Sequence, residues 1–270
     1  MKNNSIKENQ ALLLISQGKE EEAERIYREL IATGNTNHIV YSNLAVLCGK
    51  KGNQKERIFF LTKALQIQPN FPDAHNNLGN YFKESGDFDA AIDSYQKAIE
   101  LNPRYTDAHY NLGLSLQKIG SLNAAIDSHQ RAVKINPNLS QAHNNIGNVL
   151  KELGDLPAAI SSYQRAIKCK PNYPEAYYNL GAALQEQGDL GSAINSFQKA
   201  IQINPKLAEA HNSLGNALQA QGKLKDAIKS YQNAIKVKPN FVYPYCNLGV
   251  ALKEQGDLNS AINSFQKALQ

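Results

Sequence analysis

The sequence predicts an all-α fold, a solenoid of antiparallel helix pairs, and three observations predict it. Pro69, Pro103, Pro137, Pro171, Pro205 and Pro239 stand 34 residues apart. Gly18, Gly52, Gly86, Gly120, Gly154, Gly188, Gly222 and Gly256 keep the same period at another phase. Between these marks apolar residues recur at helical spacing. A fixed period of this length means one small unit copied and stacked, each copy burying its apolar face against its neighbours. Stacked units make a long continuous surface, the kind that binds other chains.

Residues 72–105 show how one unit is built. Pro72 suits a first helical turn, where its missing N–H costs nothing, and Asp73 complements the positive end of the helix dipole. Ala74, Leu78 and Phe82, with His75 and Gly79 beside them, follow at helical spacing. Gly86 stops this first helix and Asp87 can cap the second. Ala91, Ile92, Tyr95, Ala98 and Ile99 form the second amphipathic stripe. Asn102-Pro103 ends it, because proline cannot continue the ladder. Gly79, Gly113, Gly147, Gly181, Gly215 and Gly249 fall in the middle of first helices, where glycine costs about 1 kcal/mol against alanine. Their recurrence implies close helix–helix approach. Ala91, Ala125, Ala159, Ala193, Ala227 and Ala261 offer a matching small face, so axes near the close end of roughly 8–10 Å are expected.

Composition narrows the function classes. Of the 270 residues, 42% are hydrophobic and 20% charged, which excludes a disordered chain. The net charge of +5 is mild, and nucleic-acid binding would need it gathered on one face. Instead Lys97, Arg131, Arg165, Lys199 and Lys267 lie on second helices, and Lys83, Lys151 and Lys253 stand beside Glu84, Glu152 and Glu254. Nucleic acid is not an expected partner. Cys48, Cys169 and Cys246 are odd in number and far apart, which fits neither a disulfide framework nor a zinc site. The apolar run ALLLI near the N-terminus is too short for a signal or a membrane span. A cytoplasmic protein without membrane contact is expected. No phosphate loop, nucleophile elbow or non-periodic carboxylate pair occurs. His75, His109, His143 and His211 follow the period and read as packing residues, while His129 replaces an aromatic of the second-helix core. No enzyme activity, catalytic residue, metal or cofactor is expected.

The pattern His75-x-x-Leu78-Gly79-x-x-Phe82, followed by Gly86, Ala91, Tyr95, Ala98 and Pro103, resembles the tetratricopeptide repeat (TPR). The likeness runs through the whole chain as a single domain, 1–270. Its repeats are 4–37, which is degenerate, then 38–71, 72–105, 106–139, 140–173, 174–207, 208–241 and a partial 242–270. The chain has no Trp, and the pattern's first aromatic is replaced by His75, His109, His143, Tyr177, His211 and Tyr245. The resemblance implies a right-handed superhelix whose first helices line a concave groove, with the second helices facing outward. It implies a scaffold that binds a protein or peptide. The first unit keeps Gly18, Ala23 and Tyr27 but has Lys7 and Gln10 where Tyr41 and Leu44 stand in the next, as end repeats do. The last unit fits the pattern with no polar capping helix after it. Self-association through that end, or a native chain continuing past Gln270, is therefore expected.

The implied groove carries Asn43, Asn77, Asn111, Asn145, Asn179 and Asn247 at one register, with Asn9 in the first unit and Ser213 breaking the series. Asparagine is a mediocre helix-interior residue, and its carboxamide both donates and accepts. A row of them can hold the backbone of an extended peptide. The row resembles the repeat domain of O-linked N-acetylglucosamine transferases, where such asparagines grip substrate peptides. That resemblance implies an alternative function, the substrate-recruiting N-terminal arm of a larger enzyme such as a glycosyltransferase. The same residues also read as hydrogen bonds between neighbouring repeats. A second layer alternates. Asn76/Asn80, Asn144/Asn148 and Asn212/Asn216 occupy every other unit, and Tyr110/Leu114 and Tyr178/Ala182 the units between. Each pair is four apart on one helix face. Tyr110 and Tyr178 are candidate anchors for apolar side chains. Duplication of a two-repeat block would give the same alternation. The resemblance implies that the two-carboxylate clamp of chaperone-binding relatives would have lysine or arginine where Asn76 and Asn111 stand, so a chaperone tail is disfavoured. A helical-repeat reader of RNA is the least favoured reading, because the groove lacks a basic stripe.

Overall fold

The computed structural model describes residues 2–269, and among them sixteen α-helices and no strand. The first helices of the repeats are α1 (Lys2–Ser16), α3 (His38–Lys50), α5 (Pro72–Ser85), α7 (Thr106–Lys118), α9 (Ser140–Glu152), α11 (Pro174–Gln187), α13 (Ala208–Ala220) and α15 (Val242–Gln255). Their partners are α2 (Glu20–Ala32), α4 (Gln54–Ile67), α6 (Phe88–Leu101), α8 (Leu122–Ile135), α10 (Leu156–Cys169), α12 (Leu190–Ile203), α14 (Leu224–Val237) and α16 (Leu258–Ala268). Connections of a few residues fold each pair into an antiparallel hairpin. The fold class is the expected all-α helix-pair solenoid.

The turn inside each pair follows from a glycine and its successor. Gly86, Gly188 and Gly256 close α5, α11 and α15 in the left-handed region, with φ of 84°, 93° and 94°. The next N–H then reaches back to a terminal carbonyl, as Asp87 N does to Phe82 O at 2.9 Å. Asp87, Asp155, Asp189 and Asp257 each accept an N–H of the helix they precede. Hydrogen bonds from Ser192 and Ser260 hold the carboxyls of Asp189 and Asp257 below the usual range.

The mid-helix glycines meet something other than the expected alanine face. A methyl group on Gly79 would lie 2.5 Å from the Tyr95 ring, and one on Gly147 2.6 Å from Tyr163. Gly181 stands in the same relation to Phe197 at 2.7 Å. Each glycine admits a second-helix ring sixteen residues later, flat against the first-helix backbone. Ala91, Ala125, Ala159, Ala193 and Ala227 are fully buried, but rings, not alanines, set the close approach.

The periodic histidines also do more than pack. His75, His109, His143 and His211 bring Nε2 to within 2.9–3.0 Å of the carbonyl oxygens of Pro69, Pro103, Pro137 and Pro205. An oxygen can only accept, so Nε2–H is the donor. Tyr245 donates its hydroxyl to Pro239 O at 3.0 Å in the same register. Each of these bonds closes the junction between one repeat and the next.

The helices group into two compact units, Met1–Asn136 and Pro137–Gln270. In the first, α1–α4 bury Tyr27, Leu44 and Leu61, while Ile92, Tyr95 and Leu112 form a separate cluster. Its degenerate first repeat is tied to its neighbour by ion pairs, Lys51–Glu24 at 2.7 Å and Lys50–Glu20 among them. Arg28 joins Glu24 at 2.8 Å and also bonds Glu56. In the second unit one continuous core runs through Tyr163, Phe197 and Tyr231 with Leu180, Leu214 and Leu248. Leu258 and Ile262 on α16, and Leu269 just after it, are exposed.

Candidate functional site

The asparagines at one register of the first helices are not equivalent. Asn179 donates its amide to Asn144 Oδ1 at 3.0 Å and to Asn148 Oδ1 at 3.1 Å. Asn247 does the same to Asn212 and Asn216, both at 3.0 Å. Asn111 reaches Asn76 Oδ1 more loosely, at 3.5 Å. Each bond ties one first helix to the first helix of the preceding repeat. From below, Tyr95, Tyr163 and Tyr231 donate their hydroxyls to Asn80, Asn148 and Asn216 at 2.8–3.0 Å. Burial raises the pKa of all three phenols, that of Tyr231 to about 12. They are donors at any ordinary pH.

Asn179 and Asn247 thus commit their N–H donors to the stack. The Asn111 oxygen accepts from Lys83 Nζ at 3.1 Å, and burial lowers the pKa of that lysine. Asn43 donates to the Tyr27 hydroxyl at 3.2 Å. Asn145 holds the same register on α9 and is half-buried. Asn77 makes no side-chain hydrogen bond among the described residues. It shares a recess of about 220 Å³ with Asn80, Ala45, Leu61 and Glu84, where Glu84 is ion-paired with Arg57. Asn76 and Asn144 are each only 5% exposed, so bracing occupies them.

The alternation has a packing cause. In the units between, Tyr110 leans on His129 with ring centroids 5.5 Å apart, and Tyr178 on Phe197 at 5.9 Å. There the second-helix ring has no phenol hydroxyl, and Leu114 and Ala182 stand where its acceptor would be. Three positions therefore change together: asparagine, asparagine and tyrosine in one kind of repeat, tyrosine, an apolar residue and a hydroxyl-free ring in the other. The sequence carries this coupling, in the register of Tyr95, Tyr163 and Tyr231 against His129 and Phe197. Reading the first-helix pairs alone misses it.

His129 is fully buried and neither ring nitrogen has a partner among the described residues. Burial pushes its pKa down to about 4. Among the described residues no three His, Cys, Asp or Glu side chains are placed to share a metal. Nor, among these residues, is any helix long and apolar enough to cross a membrane.

The TPR repeat family model matches residues 79–120, 147–188, 183–222 and 215–256, more than half of the sequence. The chain belongs to the tetratricopeptide repeat family. Further tetratricopeptide repeat models match 39–71, 60–93, 106–139 and 245–270. These TPR matches begin after the degenerate first repeat. Among solved structures the chain is similar to MamA, with 29% identity, a TM-score of 0.58, and coverage of 63% of this chain and 92% of that one. It is similar in fold to YrrB, described as a TPR protein with an unusual peptide-binding site. There the identity is 22%, the TM-score 0.58, and the coverage 73% of this chain and 97% of YrrB. It is also similar in fold to PilF of Pseudomonas aeruginosa, at 19% identity and a TM-score of 0.68, covering 77% and 94%. Comparison with curated protein sequences gives no match.

Proposed function

We propose that this chain is a protein-interaction scaffold that binds an extended peptide along the first helices of its repeats. The observation that carries the reading is the state of the asparagine row. Bracing takes the amide N–H groups of Asn179 and Asn247 and leaves each Oδ1 as an acceptor fixed in place. A carboxamide whose rotamer is already locked loses little entropy when a ligand binds. Acceptors repeated along the stack suit the N–H groups of a peptide backbone, whatever its side chains. Asn77 and Asn145 add amides at the same register. Tyr110 and Tyr178, half-buried against the rings beneath them, are the proposed seats for apolar side chains. YrrB, with its peptide-binding site, supports the reading by analogy of fold.

Asn77 is the clean test, because it braces nothing. Asn77→Ala should weaken a peptide selected on this chain by several-fold while helical circular dichroism and melting stay unchanged. Asn179→Ala should weaken the peptide and also destabilise the stack. Unchanged affinity in both variants sinks the peptide reading and leaves the row a purely structural device. The apolar stripe of Leu258 and Ile262 on α16, with Leu269 just after it, is further proposed as a self-association face. Mass in solution should then rise with concentration, and Ile262→Glu should hold the chain monomeric.

A further inference from the structure

A second surface lies across α7 from Asn111. At 100° per residue Asn111 stands about 200° around the helix from His109, whereas Leu112 and Leu116 fall within about 60° of it. On the His109 side, two open recesses run in series along α8. The first, about 420 Å³, has Ile99, Leu112 and Leu116 as its apolar lining, with Ala124 and Arg131 on α8. The second, about 430 Å³, is lined by Pro103, His109, Arg131, Lys134 and Ile135. His109 and Arg131 belong to both.

Polarity is divided along this track. Glu100 of the first recess is paired with Lys97 at 2.9 Å, which leaves Asp127 as its unpaired acid. The second recess has no carboxylate in its lining. Arg131 and Lys134 are exposed and have no ion-pair partner among the described residues. Between the recesses His109 is buried, its Nε2–H donating to Pro103 O at 3.0 Å. In the neutral ring Nδ1 is then an acceptor, and it is buried with no partner among the described residues.

We propose that the α6–α7–α8 face binds a short protein segment carrying an apolar side chain followed by an acidic one. The apolar side chain fills the first recess over Leu112 and Leu116. The carboxylate meets Arg131 and Lys134 in the second. From Ala124 to Ile135 the helix rises about 16 Å, a length that roughly five extended residues span. A track of that length suits a segment of chain better than a single small molecule. The site is separate from the asparagine row and stands or falls without it.

The probe is a fluorescein-labelled peptide, Gly-Leu-Leu-Gly-Glu-Glu-Gly, titrated with the full chain and followed by anisotropy. The Arg131→Glu, Lys134→Glu double variant reverses two exposed charges and should weaken binding at least about tenfold. Ala124→Trp, at an exposed position, should fill the first recess and weaken it comparably. Asn77→Ala should leave it unchanged, and a probe with lysines in place of the glutamates should not bind. Circular dichroism confirms that each variant is folded. The proposal is overturned by no saturation up to about 1 mM peptide, by affinity that survives both α8 variants, or by binding lost only with Asn77→Ala.

Discussion

Repeats 106–139 and 174–207 are built to one plan. Each has a tyrosine on its first helix, Tyr110 or Tyr178, and an apolar residue four positions later. Each lays a ring without a hydroxyl over a mid-helix glycine, His129 over Gly113 and Phe197 over Gly181. Both rings are fully buried. Phe197 asks nothing of its surroundings, whereas His129 brings two ring nitrogens that find no partner among the described residues. The same repeat leaves Ser115 Oγ and His109 Nδ1 unpartnered, where the other has Ala183 and Tyr177. The difference shows that the period fixes the volume at each position but not its polarity. A stack whose stability is nearly a sum over repeats can carry one strained member. Each unsatisfied buried group there costs about 1–3 kcal/mol.

Truncating the two rings gives the largest effect and the sharpest contrast. Phe197→Ala should destabilise the chain by about 3–5 kcal/mol, the usual cost of emptying an aromatic site. His129→Ala should cost at least about 1 kcal/mol less, because it also removes two unsatisfied nitrogens. Urea unfolding of both variants measures the difference. Equal costs would mean that the buried imidazole is tolerated without penalty, and the contrast between the repeats would vanish.

Acid should separate the repeats next. The His129 pKa in the folded chain, about 4, lies below the ordinary 6.5. The unfolded chain therefore takes up a proton that the folded chain refuses. Stability from this group is fully present above about pH 6.5 and is lost as pH falls toward 4. At 1.36 kcal/mol per unit the whole loss is about 3 kcal/mol. His129→Phe should remove that loss and raise stability at neutral pH by about 1–3 kcal/mol. Phe197→His should introduce a similar acid sensitivity where there was none. Unfolding midpoints between pH 7.5 and pH 4 for the three proteins decide it, and parallel curves would rule His129 out.

How much of this was legible in the sequence depends on how far each signal reaches. Pro103, Gly86 and Asp87 act on the backbone within a few residues, so the helix pairs and their turns could be read directly. Gly79 announced a close approach but not the partner, because the Tyr95 ring comes from the facing helix. The histidines looked like packing residues because their bond is to a carbonyl six positions earlier, and a carbonyl leaves no mark in the sequence. The asparagine row was visible as a row. Its division into braced and open members was not, since the partners of Asn179 lie 35 and 31 residues before it. What the sequence did hold was the coupling of Asn76, Asn80 and Tyr95 against Tyr110, Leu114 and His129. Two-repeat duplication would preserve that coupling, but the hydrogen bonds give it a reason to persist.

The smallest effect tests that reason. Asn80→Leu leaves the Tyr95 hydroxyl without its acceptor, and Tyr95→Phe leaves Asn80 Oδ1 without its donor. Each single change should cost about 1 kcal/mol. Together they recreate, at α5 and α6, the apolar-and-hydroxyl-free arrangement that Ala182 and Phe197 already use. The double variant should therefore cost less than the sum, with a coupling of about 0.5–1 kcal/mol in a urea double-mutant cycle. Strict additivity would mean that the positions alternate without depending on one another, leaving duplication as the whole explanation. A clear coupling would mean that a polar repeat can be exchanged for an apolar one only when the first-helix residue and the ring beneath it change together.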